Sequence, residues 1–180
     1  SGGGSNTNLY YQPENSSLVK LRGDKFIAWS DDNNKIITYD SKTKIYYLYE
    51  INNLSQTFNI TAALNNLQKI AIQQIAFHPL DSNRLIIQDK NNIMYILDTN
   101  RPNLENIIKD TVLAWTIKGS NLYYIKEVKS QTSSVKSRLL ASFNLVLKTE
   151  NFNFELPSQL INQKISEISV SANKIAFLTE

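Results

Sequence analysis

The sequence predicts an all-β fold built from repeated four-stranded antiparallel sheets. Three observations lead to this prediction: short apolar runs recur along the chain, polar turns that contain asparagine separate them, and the runs are rich in β-branched and aromatic residues. In runs this short, such enrichment favours strands over buried helices. With 180 residues, 42% of them hydrophobic, the chain is long enough to bury a domain core.

One block recurs four times: an apolar strand, a polar turn with asparagine, and a second apolar strand. The copies lie at 26–40, 75–89, 113–125 and 168–178. Near the end of each first strand a small residue precedes a larger apolar one, and these larger residues are Trp29, Phe77, Trp115 and Val170. Their separations of 48, 38 and 55 residues are close to the roughly 40–50 residues of one β-propeller blade.

Further strands extend each block. Third strands are predicted at 45–49 and 93–98, and more polar fourth strands at 57–62, 105–109 and 151–156. In the third unit a long insertion at 130–134 separates strands 123–128 and 138–147. Each complete unit is therefore predicted to be a four-stranded antiparallel meander.

Residues 75–98 resemble a blade of the WD40-like and TolB-like β-propeller families. The stretch reads Ile-Ala-Phe-His-Pro, then Asp-Ser-Asn-Arg-Leu, then Asn-Asn-Ile-Met-Tyr-Ile-Leu-Asp. The Gly-His and Trp-Asp dipeptides of true WD40 repeats are absent, and Asn91-Asn92 stands where such blades usually have Asp-Gly. The resemblance implies a fold and not an activity, because propellers carry many functions.

The predicted organisation is a flexible linker at 1–8 and a propeller-like domain at 9–180. Its blades are expected at about 24–65, 72–110, 112–157 and 165–180, which makes three and a half to four blades where closed propellers have about four to eight. Either the strands within 9–23 pair with 168–178 and close a small ring, or the chain is part of a larger propeller. An open blade edge would favour self-association.

Asparagine is expected to replace glycine in the turns, since only Gly23 and Gly119 lie beyond the first four residues. Asparagine adopts the left-handed backbone conformation more readily than other non-glycine residues. The predicted turn positions are Asn33–Asn34, Asn83, Asn91–Asn92, Asn121 and Asn173.

The composition excludes several kinds of site. The chain has no cysteine and one histidine, so we expect no disulfide, thiolate nucleophile, metal cluster or cofactor. Asp31-Asp32-Asn33-Asn34 lacks the alternating acidic spacing of a calcium loop and is expected to form a hairpin turn. The basic stretch 118–138 also carries Glu127 and many Ser and Thr residues, which indicates a solvated surface and no nucleic acid partner.

Four residues are candidates for binding: Tyr47, Tyr49, His78 and Tyr124. An exposed tyrosine offers a large contact area at low entropic cost, although packing between blades explains the same pattern. His78 precedes Pro79, which suits a turn in which the imidazole bonds to the backbone, and a general base is the alternative.

The predicted function is a non-catalytic interaction or scaffold module that binds a protein partner. Residues 1–8 also resemble the spacer behind the lipidated cysteine of a bacterial lipoprotein, which implies a cell-envelope location with a lipid anchor before Ser1. A cloning remnant, an ordinary tail and a cytoplasmic location are alternatives. The rival function is the propeller domain of an enzyme, a hydrolase or lyase, which would gather Asp31, His78, Asp81 and Lys118 around one pocket.

Overall fold

The computed structural model describes residues 7–14, 17–129, 136–171 and 174–179. Strands dominate this part of the chain, and the two helices within it are short. The chain forms two compact units, the first from Ser1–Ile87 with Ile96–Glu105 and the second from Gln88–Tyr95 with Asn106–Glu180. The predicted insertion at 130–134 and most of the predicted linker lie outside the described residues.

Three sheets each contain four strands in meander order. The first comprises β3 (Lys25–Trp29), β4 (Lys35–Asp40), β5 (Ile45–Glu50) and β6 (Asn53–Asn59), and it follows a hairpin of β1 (Leu9–Tyr11) and β2 (Val19–Leu21). The second comprises β7 (Ile72–His78), β8 (Asp81–Asp89), β9 (Met94–Asp98) and β10 (Asn103–Ile108). The third comprises β11 (Thr111–Lys118), β12 (Asn121–Lys129), β13 (Lys136–Asn144) and β14 (Thr149–Glu155).

A final pair of strands, β15 (Ile165–Val170) and β16 (Ile175–Thr179), forms a two-stranded sheet. The predicted all-β fold of four-stranded antiparallel meanders is confirmed. Because β1 pairs with β2 and β15 pairs with β16, completion of the last blade by the N-terminal strands stays a prediction, as do the predicted blade limits.

One predicted strand is partly helical. The fourth strand of the first sheet was expected at 57–62, but β6 ends at Asn59 and helix α1 (Ile60–Leu67) begins there. The reason is local: the Asn59 side chain accepts a hydrogen bond from the Ala62 N–H at 2.8 Å and so caps the helix. Ile60 and Leu64 are fully buried, which anchors the helix by its apolar side.

The prediction that asparagines take the left-handed conformation in the turns is confirmed at two positions and does not hold at two others that the structure describes. Asn33 and Asn92 have φ angles of 57° and 65°. Asn83 and Asn121 are not among the described residues with positive φ, and Asn173 lies outside the described ranges. Lysines take the left-handed conformation elsewhere, at Lys44, Lys69 and Lys148.

The turns with Lys44 and Lys148 share one arrangement. Asp40 accepts hydrogen bonds from the N–H groups of Lys42 and Thr43, and its carbonyl accepts one from Lys44. Asn144 and Lys148 repeat that backbone bond four residues apart, and the Asn144 side chain accepts two further N–H groups. The side chain of the first turn residue, Asp40 or Asn144, therefore fixes the shape of the turn, and the lysine adopts the left-handed conformation that this shape requires.

Each unit has its own apolar cluster. In the first unit the β1–β2 hairpin packs on one face of sheet β3–β6, where the buried residues are Leu21, Ile36, Tyr47 and Tyr49. In the second unit, strands of sheet β11–β14 pack against β15 and the loop that contains the short helix α2 (Ser158–Ile161). The buried residues there are Ala114, Ile125, Leu140, Leu156, Ile165 and Ile168.

Candidate functional site

The first unit contains an open cleft of about 750 Å³ at the end of the β1–β2 hairpin. Residues of the hairpin, of the β4–β5 turn and of β5 line it. Three of its side chains are basic, Lys20, Arg22 and Lys42, and the ring of Tyr47 lies in the same wall. These four residues are called the cationic cleft below.

The alternation of strand β2 places two of the basic side chains. Leu21 is 3% exposed and belongs to the apolar cluster, so its neighbours Lys20 and Arg22 point to the solvent side and are exposed. The backbone of Arg22 is fixed at both polar groups. Its N–H donates to the Tyr49 hydroxyl at 2.5 Å, and its carbonyl accepts from the Thr38 hydroxyl at 2.7 Å.

The Arg22 guanidinium lies over the Tyr47 ring, 5.8 Å from the ring centre. At this distance a cation is attracted by the electrons of the ring face. Tyr47 itself is only 8% exposed, because Leu21 and Ile36 pack in the same cluster. The tyrosine therefore supports one face of the guanidinium, and Arg22 lines the cleft.

The acidic residues of the cleft, Asp24 and Asp40, are occupied by the β4–β5 turn. Asp24 accepts the Ser41 hydroxyl and the Ser41 N–H, and these bonds lower the pKa of its carboxyl. The N–H groups of Thr43 and Lys42 likewise lower the pKa of Asp40, against a smaller opposing effect of burial.

In the described part of the chain neither carboxylate forms an ion pair with Lys20, Arg22 or Lys42. The cleft thus presents three cations whose charge no acid within it neutralises by direct contact. A carboxylate that entered the cleft would meet these donors without displacing an existing partner.

The structure brings Tyr47 and Tyr49 together and buries both. Tyr49 is 3% exposed and acts through its hydroxyl, which accepts the Arg22 N–H. The expectation that tyrosines of β5 present open rings to a ligand therefore does not hold for these two. They lie beneath the cleft and position Arg22, and a direct binding role for either stays a prediction.

His78 lies at the end of β7 and is 5% exposed. Its Nδ1 atom accepts the Leu80 N–H at 3.3 Å across Pro79, which is the geometry of a turn. The two cavities described for the first unit are lined by other residues. The position of His78 fits the structural interpretation, and its role as a binding residue stays a prediction.

Tyr124 belongs to the second unit and is 1% exposed. Its hydroxyl donates to Glu150, which also accepts the Lys126 ammonium at 2.9 Å. Lys126 pairs with Asp110 at 3.0 Å as well. Burial raises the pKa of Tyr124 well above its usual value, and the neighbouring Glu150 adds to that shift. Tyr124 is thus a buried member of a charge network whose acidic side chains, Asp110 and Glu150, reach the surface.

Of the four residues of the rival enzyme interpretation, His78 and Asp81 are held by local structure, and Asp31 and Lys118 are exposed. Asp81 accepts the Asn83 N–H and pairs with Arg84 at 3.3 Å. In the acidic turn, Asp32 accepts bonds from Ser30, Asn34 and Ser82, and these hold the pKa of its carboxyl far below its usual range. Among the described residues, no group of three or more His, Asp or Glu side chains could hold a metal ion.

Reasoning from the sequence missed the basic residues of the cleft. The aromatic runs and the basic stretch 118–138 are the more conspicuous features of the sequence. Lys20 lies in the three-residue strand β2, and Arg22 follows it, so that the two flank Leu21. The alternation Lys-Leu-Arg was the available signal. It required knowing that Leu21 faces the core, which depends on where the hairpin packs.

The comparisons with known proteins agree on the fold. No protein-family model and no curated protein matches the chain. Similar solved structures include the N-terminal domain of Nup159, with 13% identity and a TM-score of 0.55 over 86% of this chain and 38% of that one. The WD40 β-propeller domain of Doa1 has 14% identity and a TM-score of 0.53 over 95% and 54%.

The β-propeller domain of Myceliophteria thermophila Cps50 (Swd1) is similar at 10% identity, with a TM-score of 0.58 over 90% of this chain and 52% of that one. The chain therefore spans about two-fifths of the Nup159 domain and about half of the other two. These similarities support the WD40-like part of the predicted resemblance, while the TolB-like part stays a prediction. Four-stranded sheets and neighbours of this kind identify the chain as a set of β-propeller blades.

Proposed function

We propose that this chain is a non-catalytic β-propeller interaction module and that it binds an acidic segment of a protein partner in the cationic cleft. One observation carries the proposal: Lys20, Arg22 and Lys42 surround an open cleft whose own carboxylates are bonded to a turn. Hydrogen bonds from lysine and arginine to a carboxylate are stronger than those between neutral groups.

The fixed backbone of Arg22 favours binding. Two backbone hydrogen bonds and the Tyr47 ring hold this residue before a ligand arrives. Less conformational entropy is then lost when the guanidinium contacts a carboxylate. Arginine and tyrosine are also the residue types that contribute most to binding in protein interfaces.

Propeller neighbours offer a precedent for a protein partner. A solved complex contains S. cerevisiae Dbp5 bound to Nup159, whose N-terminal domain is similar to this chain. The fold supports protein binding as a general function. The chemistry of the partner is inferred from the cleft of this chain and not from the fold.

The cell envelope of a bacterium is the proposed location. The Ser/Gly/Asn composition of residues 1–8 supports it through its resemblance to a lipoprotein spacer. No helix in the described ranges is long and apolar enough to cross a membrane. Fractionation of the native cells with an antibody to this chain tests the location: recovery with the membranes supports it, and recovery with the cytosol contradicts it.

The binding proposal is tested with a fluorescein-labelled oligoglutamate peptide and anisotropy titration. The variant Lys20→Glu/Lys42→Glu reverses two charges of the cleft. We expect wild-type binding that weakens with salt, and an affinity loss of about tenfold or more in the variant, equivalent to about 1.4 kcal/mol.

The matched control is Lys90→Glu/Lys118→Glu, which makes the same change of net charge at two exposed lysines outside the cleft. This control should retain most of the affinity. An equal loss of affinity in both variants would mean that binding depends only on the net charge of the chain, which would contradict the proposal. Absence of oligoglutamate binding to the wild type would also contradict it.

A further inference from the structure

Two of the described sheets have two strands each, whereas the other three have four. The short sheets are the hairpin β1–β2 in the first unit and the pair β15–β16 in the second. Together the two short sheets have four strands, which is the number in each of the three larger sheets. The packing of each pair indicates which half of such a sheet it represents.

The pair β15–β16 occupies the inner half. β15 packs beside β11, the first strand of its sheet, and its residues Ile165 and Ile168 join the cluster with Ala114. The opposite face of β16 is open: Leu178, which points away from this cluster, is 57% exposed. Among the described strands β16 pairs only with β15, so its second edge carries unpaired backbone groups.

The outer part of sheet β11–β14 is uncovered on the same side. Ile125, Leu140 and Phe154 are cross-strand neighbours and therefore face the same side of the sheet. Ile125 and Leu140 are buried under β15, whereas Phe154 on the outer strand β14 is 60% exposed. The corresponding Phe58 on β6 of the first sheet is partly buried. Two more strands beside β16 would extend the cover toward Phe154.

The hairpin β1–β2 occupies the opposite, outer half. It covers Tyr47 and Tyr49 of sheet β3–β6, and it reaches the inner strand β3 with the Tyr11 ring, whose centre lies 5.8 Å from that of Trp29. Trp29 pairs across the strands with Ile36, and Phe26 with Thr38, so both face the side that the hairpin covers.

Trp29 is 42% exposed and Phe26 is 46% exposed. At the same position of the repeat, Phe77 and Trp115 are each 6% exposed. The first unit therefore lacks the cover that an inner pair of strands would give.

We propose that two copies of this chain associate by sharing these sheets, with β1 of one copy pairing antiparallel to β16 of the other. The pair β15–β16 of the second copy then covers Phe26 and Trp29 of the first. β1 is the pairing strand because β2 leads directly into β3, which leaves β2 as the outermost strand of the composite sheet. The argument for this contact does not use the proposed ligand of the cleft, although Lys20 of the cleft lies on β2 of the same hairpin.

Symmetry supports a second copy as the occupant. Each chain offers one outer pair and one inner pair, so a two-fold arrangement satisfies both at once. Two copies then have three complete sheets each and two composite sheets between them.

The first experiment measures mass in solution by sedimentation equilibrium across a concentration series. We expect a dimer for the wild type. Leu178→Lys and Phe154→Lys place charges on the proposed contact and should raise the dissociation constant about tenfold or more, because charged side chains oppose edge pairing. The control Leu80→Lys changes a leucine of similar exposure, 61%, at the β7–β8 turn and should leave the dimer intact.

The second experiment uses the absence of cysteine from the chain. Chains with Tyr10→Cys are mixed with chains that carry Thr179→Cys, or in a second mixture Ile175→Cys, under mild oxidation, because these side chains lie on the same face of the composite sheet as Tyr10. A mixed disulfide between two chains is expected for one of these registers, and none when Leu80→Cys replaces Tyr10→Cys. Circular dichroism of each variant establishes that it is folded.

Three results would overturn the proposal. They are a monomeric wild type at all concentrations, a dimer that Leu178→Lys and Phe154→Lys leave as tight as Leu80→Lys does, and a disulfide that forms within one chain when Tyr10→Cys and Thr179→Cys are combined at high dilution. Oligoglutamate binding is measured on the same samples, so loss of the dimer and loss of the cleft are separate observations.

Discussion

The Tyr49 hydroxyl accepts a hydrogen bond from the Arg22 N–H at 2.5 Å, across 27 positions of sequence. This bond joins the end of the β1–β2 hairpin to the third strand of the first sheet. Tyr49 is almost fully buried and the bond is part-buried, which limits the access of water to it. The cationic cleft therefore depends on a residue that a ligand does not touch.

Tyr49→Phe should destabilise the chain and loosen the hairpin. Removing the hydroxyl leaves a partly buried N–H without its acceptor, which costs about 1–3 kcal/mol in unfolding free energy. Urea denaturation measures the loss, and hydrogen exchange should show faster exchange of the Arg22 amide. Tyr10→Phe is the control, since Tyr10 is 52% exposed. Equal stability of the two variants would mean that the bond contributes nothing measurable.

Gly23→Ala should cost more than Gly119→Ala. Both glycines have positive φ, 97° and 55°. A Cβ atom at Gly23 would lie 2.8 Å from the Tyr39 carbonyl oxygen, whereas at Gly119 nothing lies within 4 Å. Alanine at Gly119 meets only the left-handed conformation, at about 1–2 kcal/mol. The backbone contact at Gly23 should add at least about 1 kcal/mol, since strained positions cost about 1–3 kcal/mol.

Thermal unfolding of the two alanine variants tests this difference. The β2–β3 turn carries Arg22 and Asp24, so Gly23→Ala should also weaken oligoglutamate binding while Gly119→Ala does not. A smaller effect at Gly23 than at Gly119 would mean that the turn shifts easily away from Tyr39.

The sequence was sufficient for the blades and insufficient for the cleft, for a physical reason. Strand periodicity and Asn33 or Asn92 in the turns are local signals, because a short stretch of chain determines them. Lys44 escaped prediction because the acceptor on Asp40, and not the lysine, selects that turn. The burial of Tyr47 depends on a hairpin more than 20 residues away, and no local pattern contains that contact.

Gln88→Leu should destabilise the second unit although leucine is the more apolar residue. Gln88 is 1% exposed, accepts the Trp115 Nε1–H at 3.0 Å and donates to the Val112 carbonyl at 2.6 Å. Leucine leaves both groups unpaired, and each buried group without a partner costs about 1–3 kcal/mol. Gln73→Leu, at an exposed glutamine of β7, should be close to neutral in the same urea titration. Similar stabilities of the two variants would contradict a structural role for Gln88.

Glu150→Gln should reduce both the stability at pH 7 and its dependence on acid. Burial raises the pKa of Glu150, but hydrogen bonds from Tyr124, Lys126 and Asn153 outweigh it and leave the pKa below its usual value. A carboxyl with a lowered folded pKa stabilises fully above its unfolded pKa of about 4.3, and the contribution is lost as the pH falls through the folded pKa. Glutamine keeps the shape and removes the charge that Lys126 contacts.

Urea denaturation from pH 7 to pH 3 measures this effect. Wild type should exceed Glu150→Gln by up to about 1 kcal/mol at pH 7, because Glu150 is exposed and solvent weakens the interactions of an exposed charged group. The difference should shrink below about pH 4.3, where the unfolded carboxyl takes up a proton. Glu155→Gln, an exposed change on the same strand, should follow the wild type. A difference between wild type and Glu150→Gln that stays constant over the whole range would show that the charge of Glu150 does not stabilise the network, since only an ionisable group at this position makes the difference depend on pH.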